Sequence, residues 1–307
     1  MLTLLTSTRA FRGHFGVIQR NALHSWTLLQ PRPDILLFGN EEGAAEVSKE
    51  FGLRHVPEIA TNEFGTPLVS EMVRIACREA AHPLVCYVAA DNILTGQFQV
   101  GISHAMEWLD GREFLLIGRR WDVVLNEPWD FTCPDWELRF QEYARAHGRQ
   151  AGAGAMEYLL FPKAVDWDMP PFAEGRAPWD GWLLYEARRR GYLTVDASAV
   201  ITAYHQQHDT SHWKEIGGAR IHRVKTEEFR ANQRLRGSYT RQYNLYDAQW
   251  VLTSRGLEPR TSKQAAKAHL VRAKMFLAHQ VHAAEPYSLP LIVSIRAARN
   301  LIRSFQA

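Results

Sequence analysis

The sequence predicts an α/β layered domain with a mostly parallel, mixed central sheet over residues 1–213, and a basic helical extension over 214–307. Three observations predict it. Short apolar runs alternate with longer amphipathic runs through the first two thirds of the chain, the pattern of strands joined by crossover helices. One run, LVCYVAA (84–90), is apolar almost without interruption, as a strand covered on both faces must be. After His212 the strand signals thin out, and Lys, Arg, Ala and Gln take over.

The elements follow in order. LTLLTST (2–8) reads as a strand, and FGVIQRNALHSWTLL (15–29) as a helix with Phe15, Ile18, Ala22, Leu23 and Trp26 on one face. PDILLFG (33–39) is the next strand. EEGAAEVSKEFG (41–52) is a helix that Gly52 is placed to end. Residues 53–59 are extended. Thr66 as cap and Pro67 in the first turn open a helix that runs to about Ala81. Beyond the 84–90 strand, helices are expected at 97–109, 135–146 and 179–190, strands at 113–119 and 155–162, and one or two strands within 193–205.

Composition bounds the rest. A chain of 307 residues, 46% hydrophobic and 22% charged, builds a core without a metal or disulfide staple. Cys77, Cys86 and Cys133 form no C-x-x-C pair, which predicts a reducing, cytoplasmic setting. The apolar run at the start is too short for a secretory signal, and no apolar stretch reaches 18 residues. The net charge of +3 conceals an asymmetry: from residue 211 onward 17 basic residues face 6 acidic ones. That excess suits an anionic lipid surface, a polyanionic substrate or nucleic acid, or is simply a solvated helical face.

Three polar groups fall at predicted element ends. Asp91-Asn92 closes the 84–90 strand, where open sheets of this class bind ligands. Trp179-Asp180 opens a helix after a Pro- and Gly-rich loop. His205, His208, Asp209 and His212 follow the last strand. A carboxylate with an imidazole suits Mn²⁺, and oxygen ligands suit Mg²⁺ or Ca²⁺. Each residue also has a plainer role: Asp91 as a turn cap, the histidines as structural or exposed groups, Asp180 as a helix-start carboxylate worth about 0.5–2 kcal/mol. Trp136, Trp167, Trp179 and Trp182 flank DMPPFAEGR, where aromatic rings beside carboxylates suit sugars; at least half of them are expected in the core. G-x-G-x-x-G, G-x-x-x-x-G-K-[ST] and G-x-S-x-G patterns are absent, which counts against dehydrogenase, P-loop and α/β-hydrolase readings.

The order of these pieces over residues 1–212 resembles the GT-A glycosyltransferases, close to family-2-like enzymes with a Rossmann-like fold. The residues that carry the resemblance are LTLLTST, GNEEG (39–43), TNEFGTPL (61–68), AADN (89–92), PWDGWLLYEARRRG (178–191) and His205. It implies a hexosyl- or deoxyhexosyltransferase that uses a nucleotide-diphosphate sugar in glycan, polysaccharide or glycoconjugate synthesis. Asp180 would be the general base of an inverting displacement. Thr6, Thr8, Arg9, Glu41, Glu42, Asn62, Glu63, Thr66, Asp91 and Asn92 would line the donor, and Trp179, Trp182 and Arg176 the acceptor. In the family an Asp-x-Asp motif carries the metal. Here AADN retains Asp91 and lacks the first Asp, which implies either Asp91 supplemented by His205 on Mn²⁺ or Mg²⁺, or catalysis without metal. Arg9, Arg119 and Arg176 are candidates for the departing diphosphate.

Two alternatives stay open: a sugar-nucleotide nucleotidyltransferase, which lacks its glycine-rich Lys-bearing opening loop here, and a non-catalytic nucleotide- or nucleic-acid-binding protein. No compact basic and aromatic run of the recognised types supports a nucleic-acid partner. PLIVSIRAARNLIRSF (290–305) sets Ile295, Leu301, Ile302 and Phe305 beside Arg296, Arg299 and Arg303. It suits either docking on protein or a peripheral contact with an anionic membrane that carries a lipid-linked or glycan acceptor.

Overall fold

The computed structural model describes residues 1–208, 213–216, 219–222 and 227–261, with isolated positions up to 273. Residues Met1–Arg260 form one compact unit, and Thr261–Ala307 a second. Asp209, His212 and the 290–305 segment lie outside the described residues. Among the described residues no helix is long and apolar enough to cross a membrane.

The strands are β1 (Leu2–Ser7), β2 (Asp34–Phe38), β3 (Arg54–Val56), β4 (Leu84–Val88), β5 (Asn92–Ile93), β6 (Phe114–Val123), β7 (Arg149–Gln150), β8 (Met156–Pro162), β9 (Leu193–Asp196), β10 (Ala203–Gln206), β11 (Trp213–Ile216), β12 (Ala219–His222), β13 (Trp250–Thr253) and β14 (Gly256–Pro259). The helices are α1 (Gly13–Thr27), α2 (Ala44–Phe51), α3 (Val69–Glu79), α4 (Gly96–Leu109), α5 (Trp136–His147), α6 (Trp179–Arg189) and α7 (Glu227–Arg236). The main sheet runs β14-β13-β9-β6-β8-β4-β1-β2-β3. Its β3-β2-β1-β4 half is parallel, and β8 is inserted antiparallel between β4 and β6. The layered α/β sheet expected from the sequence is present.

The unbroken apolar run of β4 has a direct cause. Side chains alternate across a strand, so Val85 and Tyr87 enter one core while Leu84, Cys86 and Val88 enter the other. On the first face α3 and α6 contribute Val69, Met72, Leu183 and Leu184. On the second, α1 and α4 contribute Ala22, Leu23, Trp26, Phe98 and Ile102. Each fully buried side chain of that size stabilises the fold by about 1.5–3 kcal/mol. Gly52 ends α2 in the left-handed conformation at φ 62°, as its position predicts.

Three expectations are corrected. The helix expected from Thr66 starts at Val69 with Leu68 as its N-cap. Asn62 Oδ1 accepts the N–H groups of Phe64 and Thr66, each at 2.9 Å, and this side-chain turn holds Thr66 out of the helix. The 113–119 strand continues to Val123. It bends at a bulge between Gly118 and Arg119, leaves β8 and pairs with β10. Gly118 is required there, because a Cβ would lie 1.8 Å from the Tyr158 hydroxyl. Finally, the chain between 214 and 260 is only partly helical. β13 pairs with β9, β14 closes a hairpin on it, and strands of four residues are too short to show a period in sequence.

Candidate active site

β1, β4 and the far half of β6 end at one edge of the sheet, and β8 begins there because it runs the opposite way. The register places Val88 opposite Tyr158 and His205 opposite both Asp122 and Asn92. Five polar residues from distant parts of the chain therefore converge: Asp91, Asn92, Asp122, Glu157 and His205. The carboxylate that ends β4 faces polar partners and keeps 19% of its side chain exposed.

Asp91 Oδ2 lies 3.5 Å from His205 Nε2 and 3.2 Å from His208 Nε2. One ligand atom from each of the three falls within 4.8 Å of the others, a converging O,N,N set that fits a divalent transition ion. On the far side of the buried His205 ring, Nδ1 lies 3.2 Å from Asp122 Oδ1 but too far off line for a hydrogen bond. Burial opposes charge on His205, yet Asp91 and Asp122 outweigh it and raise the imidazole pKa to about 10. Asp91 moves the other way: burial resists its charge, and the two histidines hold its pKa well below the usual carboxylate range. His208 was grouped with His205 by sequence, but only the fold shows that it joins the cluster. Its ring packs 5.1 Å from Phe15, and the Arg9 guanidinium stands 4.6 Å from that same Phe15 ring.

Asp180 stands in the first turn of α6, whose N-cap is Pro178. Its Oδ1 accepts the Gly181 N–H at 2.8 Å, so part of the helix-start role is present. Burial, reinforced by the negative charge of Glu157, nonetheless raises its pKa to about 6 despite that hydrogen bond. Glu157 also acts electrostatically on His205, so Asp180 and the Asp–His–His cluster share one electrostatic neighbourhood. Sequence reasoning missed a further carboxylate. Glu174 accepts hydrogen bonds from Ser7 Oγ and from Tyr87 Oη, the latter at 2.9 Å, and burial raises its pKa. A lone Glu in a Pro- and Gly-rich loop just before an acidic helix start was the available signal.

The other expected site residues divide. Thr8 is buried at the end of β1 with its Oγ1 unpartnered, and Arg9 is exposed, its backbone clamped by Gln19 at 2.7 and 3.0 Å. Thr6 is wholly buried within β1, and its Oγ1 donates to the Ser7 carbonyl, so it offers no ligand surface. Glu41 and Glu42 are exposed before α2, and Glu42 pairs with Arg12. Asn92 is fully buried and turns inward: its Nδ2 lies 2.9 Å from Asp91 Oδ1 and 2.9 Å from Glu157 Oε1. Asn62, Thr66 and Arg176 all hydrogen-bond one carboxylate, Glu228 of α7, and Glu63 is exposed beside them. Trp179 and Trp182 are each 6% exposed; one ring meets Tyr87 edge-on and the other packs on Phe172. Neither presents a free face for a sugar, because the apolar face of α6 needs both rings for its core. Arg119 lies over the Tyr246 ring, 5.9 Å from its centroid.

The arrangement is that of an open α/β sheet with a cluster of polar side chains at its strand ends. No family model and no curated protein matches the chain. Among solved structures it is similar to S. aureus TarS residues 1–349 in complex with UDP-GlcNAc, at 10% identity and TM-score 0.44, over 69% of this chain and 60% of that one. It is also similar to glucosyl-3-phosphoglycerate synthase from Mycobacterium tuberculosis in complex with Mn²⁺, UDP and glucosyl-3-phosphoglycerate, at 12% identity and TM-score 0.39, over 68% of this chain and 73% of that one. The chain thus spans about 60% of the TarS chain. Overlaps of this size assign no activity, and the functional reading rests on the residues above.

Proposed function

We propose that the chain is a GT-A-type glycosyltransferase that moves a sugar from a nucleotide-diphosphate donor to an acceptor hydroxyl. The observation that carries the reading is the pairing of two sites at one sheet edge: a carboxylate poised near pH 6, Asp180, and an Asp–His–His cluster suited to a divalent cation. A proton acceptor and an anion-stabilising centre are the two things that glycosyl transfer from a diphosphate requires.

Asp180 takes the proton from the acceptor hydroxyl as that oxygen attacks the anomeric carbon and the bond to the diphosphate breaks. A single base facing the acceptor gives inversion. Asp91, His205 and His208 would hold a Mn²⁺ or Mg²⁺ ion, which when bound supplies positive charge for the departing diphosphate. Arg9, stacked on Phe15 beside His208, would pair with the same anion. Glu174, in the loop ahead of α6, orients the hydroxyls of Ser7 and Tyr87.

A thermal-shift panel of UDP-, GDP-, dTDP- and CMP-sugars, each with Mn²⁺ and with EDTA, tests the proposal. A donor at about 100 times its dissociation constant adds roughly 2.7 kcal/mol of stability. One nucleotide class is expected to raise the melting temperature in Mn²⁺ and to lose that effect in EDTA. No shift with any donor, alone or with acceptor glycans present, refutes it.

A further inference from the structure

The residues behind the Asp–His–His cluster form a closed circuit. Asp91 Oδ1 accepts from Asn92 Nδ2 at 2.9 Å, and the same Nδ2 reaches Glu157 Oε1 at 2.9 Å. Glu157 Oε2 meets Arg120 Nη1 at 3.2 Å, and Arg120 Nε donates to Asp122 Oδ1 at 2.8 Å. Asp122 Oδ1 then lies 3.2 Å from His205 Nδ1, and His205 Nε2 faces Asp91 again. Five strands or strand ends contribute: the turn after β4, then β5, β6, β8 and β10. Asn92, Asp122, Glu157 and His205 are all buried.

We propose that Asp122, Arg120, Glu157 and Asn92 are positioning residues that fix Asp91 and His205 as ligands for a divalent cation, and that the circuit's charge selects a dication. This rests on the glycosyltransferase reading only in taking the same cluster as the metal site. Two physical arguments support it. Metal-bound imidazoles are held in orientation by a carboxylate on their second nitrogen, and Asp122 faces that nitrogen of His205 at 3.2 Å, a contact that a small turn of the ring on binding a cation would align into a hydrogen bond. The Arg120 fork ties Asp122 to Glu157, so the carboxylate cannot swing to follow a displaced ring. Charge gives the second argument. The circuit contains three carboxylates and one guanidinium, so once a bound cation has displaced the proton of His205 it carries two uncompensated negative charges in a buried place. A dication cancels both, whereas a monovalent ion leaves one buried charge unpaired. The circuit also reassigns Asn92. Its Nδ2 is committed to Asp91, Glu157 and the Ala89 carbonyl, so it supports the ligand Asp91 and does not reach the donor.

The test measures Mn²⁺ binding to the full chain directly, from the electron paramagnetic resonance signal of free Mn²⁺, with no substrate present. Asp91→Asn is expected to abolish binding. Asp122→Asn is expected to weaken it about 10–100-fold, the usual effect of removing a carboxylate behind a metal-bound His. Asp122→Glu restores most of the affinity if the carboxylate orients the ring. Glu157→Gln, an isosteric change that touches neither imidazole, is expected to weaken binding through the Arg120 link, and it decides the matter should Asp122→Asn fail to fold. If wild-type protein binds Mn²⁺ and Asp91→Asn does not, while Asp122→Asn and Glu157→Gln bind as wild type, the circuit proposal is overturned and the metal site stands. If wild-type protein binds no Mn²⁺, both fall.

Discussion

Replacing Asp180 by Asn separates a catalytic base from a helix cap. Burial lifts the carboxyl from its ordinary 3.8 to about 6, and each unit is worth 1.36 kcal/mol, so the full shift amounts to ~3 kcal/mol. The side chain is half-buried and solvent screens part of this, which leaves about 1–3 kcal/mol. The sign follows from proton binding. With its pKa raised on folding, the native state holds the proton more tightly than the unfolded chain, so the stability linked to Asp180 is complete below pH 4 and is lost as pH rises through about 6. Asn cannot ionise, and its oxygen can still accept the Gly181 N–H. The variant should therefore match wild type at pH 4 and melt a few degrees higher at pH 7.5. Glycosyl transfer should fall about 10²–10⁴-fold. Wild-type kcat/KM should rise with pH and level off above about 6. Melting curves from pH 4 to 8, set beside the transfer rate, read both effects. A stability difference that does not change with pH, or a variant that is less stable at pH 7.5, would show that the carboxylate serves the helix start alone.

Other perturbations have defined outcomes. Mn²⁺ in excess should raise the melting temperature of wild-type protein and leave Asp91→Asn unmoved; equal shifts would remove Asp91 from the site. Trp182→Ala should cost about 3–5 kcal/mol in chemical denaturation, because the ring is buried on Phe172. A near-neutral stability with a raised acceptor KM would instead return Trp182 to the acceptor surface. Glu228→Gln weakens the carboxylate that receives Asn62, Thr66 and Arg176, and should cost about 1–3 kcal/mol without altering Mn²⁺ affinity. Unchanged stability would mean that these contacts are exchanged with water.

What was legible in the sequence depended on how locally each feature was encoded. β4 could be read because a strand buried on both faces leaves an unbroken apolar run, and Asp91 because it interrupts that run at its end. Asp180 could be read because Pro, Trp and Asp together mark a helix start. His205 was nominated and His208 only grouped with it, since nothing in their spacing says which imidazole reaches a carboxylate 110 or more residues upstream. Trp179 and Trp182 show the opposite case: aromatic richness beside a loop looks the same in sequence whether the rings face a sugar or, as here, pack on Tyr87 and Phe172.

The circuit behind the metal ligands shows where a stronger signal was available. Glu157 lies inside AMEYLLFP, a charged residue within a stretch that otherwise reads as apolar strand, and Asp122 follows Arg119 and Arg120 where the strand continues past EFLLIGR. A carboxylate in such a place costs several kcal/mol unless a partner waits for it. Its presence therefore states that a cation or donor stands across the sheet, though not which one. Register supplies the missing identity: the bulge at Gly118 redirects β6 onto β10, which sets Asp122 against His205, and the antiparallel insertion of β8 brings Glu157 to the end of β4. Reading misplaced charges in strands as one half of a long-range pair would have proposed the circuit's members, and only the strand order could have joined them.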